Sequence, residues 1–338
     1  MPAEDIEDRI VRYADLKPCK AAFIDAHTPG SDQKENFAII GGGVSENPEQ
    51  YVHIPEPHGF NIGAAGQPSK CRNSLHDHFT AEVFFVLSSR WRFFWGRWGD
   101  AGEVVLEPGD IFNIPTGMFR GFENIGSDYG MIMAILGGDD AGGGVVWAPQ
   151  VIEDAAAHGL MLAENGRLYD SRKGEALPDG VDLMPLMSDR ELAKRLEPTT
   201  FDVLPNCVAR YWDMVALADR SPIRVIGDKA LLHDRPGFEV EFLAGTTDSS
   251  CCSITSRPSV LMPVKGHWDI RGDWGSVTLA AGDTMSMPLA HQYEMSPATR
   301  GEAALYRVVA TDDPAGSTSR HCSDQAWHMR CGDIMVTE

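Results

Sequence analysis

Two stretches of this chain are written to one pattern. RWRFFWGRWGDAGEVVLEPGDIFNIPTG (Arg90 to Gly117) and HWDIRGDWGSVTLAAGDTMSMPLA (His267 to Ala290) both run aromatic strand, Gly-x-Trp-Gly, strand, Gly-Asp, strand, proline. One single-residue gap and one three-residue gap align Trp91 with Trp268, Trp98 with Trp274, Gly109-Asp110 with Gly282-Asp283, and Pro115 with Pro288. A lone repeat at a period of about 175 residues marks a duplicated domain, not a solenoid. Both copies are built from short β-branched or aromatic runs such as AEVFFVL and YGMIMAIL, broken by Gly, Pro and Asn. The 34 glycines and 21 prolines suit such a turn-rich fold. The expected class is all-β, as two small barrels or sandwiches.

Residues 1–36 form an arm, with Ile6, Ile10 and Tyr13 at helical spacing. Residues 37–148 make the first β-rich unit and 201–311 the second, with a helical connector at 149–200 between them. Within the connector, VIEDAAAHGLMLAENG is expected to be a helix ended by Gly166. Ser188 and Glu191 form a capping box for another helix, closed by Pro198. GGDDAGGG (Gly137 to Gly144) is expected to be a flexible break, and the tail 312–338 carries Trp327, expected to pack.

The formal charge of −20 excludes a nucleic-acid surface, which needs a basic patch. No apolar run approaches the ~20 residues of a membrane helix. The acidic MPAEDIEDRI lacks an apolar core and is not expected to be a signal peptide. Seven cysteines without a CxxC pair are expected to be reduced thiols, so the expected compartment is the cytoplasm.

Chemistry concentrates in HDHFTAE. His76, His78 and Glu82 share parity, so on one continuous strand they point to one side. Buried histidine and glutamate are costly unless paired or bound to a metal. Two imidazoles and a carboxylate suit a divalent transition metal, Fe(II), Mn, Ni or Zn. Calcium and magnesium prefer all-oxygen shells.

HDHFTAE resembles the first motif of the cupin superfamily, and GDIFNIPTGMFRGFEN the second, with Gly109, Pro115, Gly117 and Asn124 in place. Ser89 stands where the first motif closes on glycine, and Arg120 fills the histidine slot of the second. The resemblance implies two double-stranded β-helix (jelly-roll) barrels and a metal at His76, His78 and Glu82, with Fe(II) favoured. It is similar to gentisate dioxygenase-like bicupins, which implies a dioxygenase acting on a small anionic substrate such as an aromatic acid. Those enzymes use three histidines, and this chain offers two.

Arg120 cannot ligate a metal, because a guanidinium has no free lone pair. Either it clamps the substrate's carboxylate beside the metal, or it pairs with Glu82 and replaces the metal. His53 or His58 offers a substitute ligand. The alternatives to the dioxygenase are a metal-free binding or regulatory protein and a metal-dependent lyase or isomerase. In the second copy the ligand positions fall on Ser253, Thr255 and Ser259, and Tyr293 takes the slot of Arg120. That barrel is expected to hold no metal and to serve structure or assembly, with a homodimer as the expected state.

Overall fold

The run EVFFVL alternates between two destinations. Phe84 and Val86 join one apolar cluster with Trp91, Phe93, Phe112 and Phe122, while Val83 and Phe85 join another. Period-two alternation on a strand buried on both faces produces this split. In the computed structural model, described for residues 6–139, 144–218, 221–232, 237–246, 250–254, 256–298 and 300–312, the first destination is the inside of one barrel and the second is its seam with another.

The first barrel closes a seven-stranded sheet over a five-stranded one. The larger sheet runs Val208–Ala209, Ile111–Ile114, Glu82–Ser88, Gly130–Gly137, Phe60–Gln67, Glu35–Ile40, Val52–Ile54. The smaller runs Val145–Trp147, Arg72–His78, Arg120–Asn124, Trp91–Trp95, Gly102–Leu106. The second barrel repeats the plan with six strands over four. The two larger sheets meet in one shared core, where Phe85 stacks on Tyr306 at 4.7 Å and Phe60 on Phe238 at 6.3 Å between ring centroids.

Each barrel is completed by a strand from the segment that leads into the other. Ile10–Val11 pairs with Thr284–Ser286 of the second barrel, and Val208–Ala209 with Ile111–Ile114 of the first. An Arg-Tyr pair follows each of these strands and caps the repeated Gly-Asp turn. Tyr211 N donates to Asp110 Oδ1 at 2.8 Å and Arg210 Nη1 to Asp110 Oδ2 at 2.7 Å. Tyr13 N donates to Asp283 Oδ1 at 2.9 Å and Arg12 Nη1 to Asp283 Oδ2 at 3.0 Å. Gly109 (φ +89°) and Gly282 (φ +92°) lie so close to the Tyr211 and Tyr13 rings that a Cβ would overlap them.

Two local expectations are corrected. Ile6, Ile10 and Tyr13 do not share a helix: two short 3₁₀ turns, Ile6–Arg9 and Tyr13–Asp15, flank the donated strand. Sheet pairing of Ile10 with Met285 overrides the helical spacing. The helix expected over VIEDAAAHGLMLAENG is Pro149–Ala157 only. Gly159, at φ +89°, turns the chain into a hairpin of Leu160–Leu162 and Leu168–Asp170. The capping box is present, with Ser188 and Glu191 exchanging hydrogen bonds at the start of the single-turn helix Asp189–Leu192. No described helix is long and apolar enough to cross a membrane. The five described cysteines are free thiols. Trp327, Cys322, Cys331, Thr255 and residues 140–143 lie outside the described residues.

Candidate metal centre

His76 and His78 end the strand Arg72–His78, and both point into the first barrel. Leu75, one residue before His76 and of opposite parity, joins a cluster with Phe119 and Trp147. Glu82 is not on that strand. The chain turns at 79–81, and Glu82 opens the next strand in the opposite sheet. Barrel closure, rather than the parity of one strand, brings the three together. One ligand atom from each lies within 4.8 Å of the others, and all three residues are buried.

Hydrogen bonds assign the donor atoms. His76 Nδ1 lies 2.7 Å from the Ser74 carbonyl, so it carries the proton and Nε2 keeps the lone pair. Behind His76 runs a buried polar chain. Lys34 forms an ion pair with Asp25 and donates to Asn73 Oδ1 at 2.8 Å. Trp147 packs on the His76 ring at 5.4 Å. His78 Nε2 lies 3.3 Å from Glu82 Oε1, and its Nδ1 is buried with no hydrogen-bond partner among the described residues. Burial, with the nearby Arg120 charge, pushes both imidazoles below their ordinary pKa and keeps them neutral. For Glu82, burial works upward, but Arg120 and His78 outweigh it and hold the carboxyl well below its usual range. Two neutral imidazoles and an ionised carboxylate form a ligand set, and a transition-metal ion fits it.

Arg120 is 1% exposed. It pairs in register with His76 across the sheet. One Nη is ion-paired with Glu82 Oε2, and the other donates to the His76 carbonyl at 3.0 Å and lies 3.4 Å from Asp77 Oδ1. Asp77 points away from the two histidines and receives Arg195 Nη1 from the connector at 2.6 Å. Glu82 thus divides its oxygens, Oε2 toward Arg120 and Oε1 toward His78. The Glu82–Arg120 pair of the second sequence alternative is therefore present, and it leaves Oε1 of Glu82 turned to His78.

The ligand residues line a cavity of about 70 Å³, room for an ion and about two waters. Its walls are mainly apolar, including Phe23, Phe37, Ile62 and Phe84, and the lining contains neither lysine nor arginine. Arg120 stands behind Glu82, outside that wall. His53 and His58 lie elsewhere: His53 Nδ1 bonds the Ala38 carbonyl at 2.9 Å, and His58 Nε2 bonds Ser286 Oγ at 2.7 Å.

The second barrel places Ser253 opposite Tyr293, the register of His76 and Arg120 in the first, and starts the next strand with Ser259 as the first starts it with Glu82. Its interior polar group is an ion pair of Arg307 with Glu241, with Arg307 Nη1 donating to Ser253 Oγ at 2.6 Å. Sequence reasoning missed Asp77, Arg195 and the wall residues of the cavity. Asp77 was detectable as the outward-facing position between two inward histidines; the others come from distant loops and strands.

Glu46 follows the lining residues Val44 and Ser45. It sits in the loop between Glu35–Ile40 and Val52–Ile54, half-buried as a residue, with its carboxyl enclosed. It accepts from Trp147 Nε1 at 2.7 Å and Ile24 N at 2.9 Å. Burial raises its pKa from 4.5 to about 7, against the pull of those two donors. The native state therefore favours the protonated acid. This stability is full below about pH 4.5 and is lost as pH rises through about 7. The stability of Glu46→Gln relative to the parent should rise by about 1–2 kcal/mol between pH 5 and pH 8 in denaturant titrations, discounted for partial exposure. A pH-independent difference would remove this assignment.

No protein-family model matches the chain, and no curated protein matches it in sequence. Solved structures do match in fold. An oxalate decarboxylase from Lactobacillus farciminis, solved as a formate complex, superposes with a TM-score of 0.53 at 11% identity, covering 89% of this chain and 85% of that one. A deletion mutant of Bacillus subtilis oxalate decarboxylase gives 0.51 at 10% identity, covering 90% and 77%. Protein Ylba from E. coli gives 0.50 at 8% identity, covering 89% and 90%. With its paired jelly-roll barrels, its duplicated Gly-Asp turns and these neighbours over about nine-tenths of its length, the chain has a two-barrel (bicupin) fold.

Proposed function

We propose that this protein is a metal-dependent cupin oxidoreductase, a dioxygenase that uses Fe(II) on a small anionic substrate. The observation that carries this reading is the buried set of His76, His78 and Glu82 on the wall of an otherwise apolar cavity. Two histidines and one carboxylate with open positions are the donor set of non-haem iron oxygenases. When bound, the ion supplies Lewis acidity and electron exchange with oxygen. The protein's own residues do the rest. His76 and His78 present neutral nitrogens. Phe37, Phe84 and Ile62 exclude water and favour an apolar substrate body. A substrate carboxylate balances the charge of the ion, since no cationic side chain lines the cavity.

Arg120 is a positioning residue in this scheme. It fixes Glu82 through Oε2 and compensates its charge. Arg120→Met should weaken metal affinity about 10–100-fold in chelator competition, as loss of an orienting partner does. Arg120→Lys should restore part of that affinity through charge alone. Unchanged metal affinity with a raised KM would instead make Arg120 the substrate clamp.

A second reading has its own observation. The neighbours include oxalate decarboxylases, so a metal-dependent decarboxylase or other lyase acting on a small carboxylate is the competitor. Oxygen electrode traces and CO₂ release, recorded with iron- and manganese-loaded protein on aromatic acids and on oxalate, separate the two. Oxygen uptake with an aromatic acid supports the dioxygenase; CO₂ release from oxalate without net oxygen uptake supports the lyase. The metal-free binder rests on the Glu82–Arg120 pair and fails if purified protein carries stoichiometric metal.

A further inference from the structure

The duplicated plan is short of one strand. In the first barrel the smaller sheet has five strands, and Val145–Trp147 forms its edge beside Arg72–His78. In the second barrel it has four, and Cys251–Ile254 stands at the edge. Cys251–Ile254 is the counterpart of Arg72–His78, since Ser253 lies opposite Tyr293 as His76 lies opposite Arg120. Among the described residues no strand pairs with its free side. Its outer face is bare as well. In the first barrel Leu75 is 7% exposed, in a cluster with Trp147 and Val151, and Asp77 is 2% exposed and bound to Arg195. Their counterparts, Cys252 and Ile254, are exposed, Ile254 by 59%. With Arg271, Gln292 and Glu294 they line an open depression. An unpaired edge with an exposed apolar face is a template for another strand, and proteins cover such edges.

The repeat itself names the occupant. In the first copy Val145–Trp147 follows Gly130–Gly137 after the run Gly138-Asp139-Asp140-Ala141. In the second, Ala303–Ala310 is followed by Thr311-Asp312-Asp313-Pro314. The Asp-Asp pair thus falls at the same place past the strand end in both copies. The next tryptophan is Trp147 in the first, on the edge strand, and Trp327 in the second. Ala326, Met329, Ile334, Met335 and Val336 surround Trp327 with apolar residues. The link from Ala310 to Trp327 is longer than that from Gly137 to Trp147, so reach does not limit it. We propose that the segment around Trp327 is the missing edge strand. It pairs antiparallel with Cys251–Ile254, with Trp327 opposite Ser253 as Trp147 is opposite His76, and the residues after it lie over Cys252 and Ile254. The duplication favours this occupant over a second copy of the chain, because the first barrel fills the same edge from its own following segment.

Thiol modification and hydrogen exchange on the full-length chain, each read peptide by peptide, test the pairing. In the parent, Cys252 should react with a bulky maleimide at least about tenfold more slowly than in Trp327→Ser. The backbone amides of Cys251–Ile254 should exchange more slowly in the parent by a similar factor, while those of Ala303–Ala310 stay the same in both proteins. Cys71 and Cys207, which are buried, should remain unmodified in both and show that the fold is kept. Both protections should be equal at low and high protein concentration. Equal Cys252 rates in parent and variant would overturn the proposal. Protection that grows with protein concentration would also overturn it, by giving the edge to another copy of the chain. If Trp327→Ser unfolds, the parent decides alone. Cys252 modified within about threefold of its rate in the denatured chain overturns the pairing, and stronger protection at every concentration supports it.

Discussion

Gly109→Ala should destabilise the protein by about 2–4 kcal/mol in equilibrium denaturation, and Gly282→Ala by a similar amount. Two effects add at each position. The backbone is left-handed, at φ +89° and φ +92°, which a Cβ disfavours. The Cβ would also strike the Tyr211 or Tyr13 ring that caps the turn. Gly166→Ala is the control, because Gly166 has φ +77° but open space around it. It should cost only about 1 kcal/mol. If Gly109→Ala costs no more than Gly166→Ala, the Tyr211 contact contributes nothing and the reciprocal bracing of the barrels is wrong. Asp110→Ala attacks the same joint from the other side, removing the acceptor of Tyr211 N, Arg210 and Glu107 N together.

His76→Ala and His78→Ala should each reduce bound metal from roughly one ion per chain to less than about a tenth of that, and abolish turnover with it. The fold should persist, since the barrel interior is built mainly from Trp91, Phe93, Phe112 and Phe122 rather than from the ligands. Plasma emission analysis of protein purified without chelator or affinity metal reads the first effect, and circular dichroism the second. Metal content unaffected by both substitutions would place the ion elsewhere. Ser253→Ala in the second barrel is the matched control and should leave metal content unchanged.

The duplicated barrel was legible because Trp91/Trp268 and the paired Gly-Asp turns are local signals, written in a few adjacent residues. The three candidate ligands were legible too, although one strand was expected to carry them all. His76 and His78 do share a strand face; Glu82 arrives from the opposite sheet after a turn at 79–81, and only barrel closure makes its position equivalent. The exchanged leading strands were written in the sequence as two Arg-Tyr pairs, Arg12-Tyr13 and Arg210-Tyr211. Their partners lie 271 and 100 residues away along the chain, so no local pattern points to them. The connector misled because VIEDAAAHGLMLAENG has good helix formers on both sides of Gly159. The left-handed turn at that glycine, not the propensity of its neighbours, sets the helix end.

Arg120 shows how a departure from a familiar motif can be read two ways until geometry is known. Its charge is neutralised by Glu82 and its donors are turned to the backbone of His76 and to Asp77. It acts on the site through Glu82, so its loss should register first in the hold on the metal.

Anomalous diffraction across the iron, manganese, nickel and zinc absorption edges, from crystals of protein purified without added metal, addresses the central claim most directly. The account predicts one peak per chain at about 2.0–2.2 Å from His76, His78 and Glu82, with Arg120 still on the far oxygen of Glu82 and no peak in the second barrel. A barrel interior with no anomalous peak, in which Glu82 is shared only between Arg120 and His78, would contradict it.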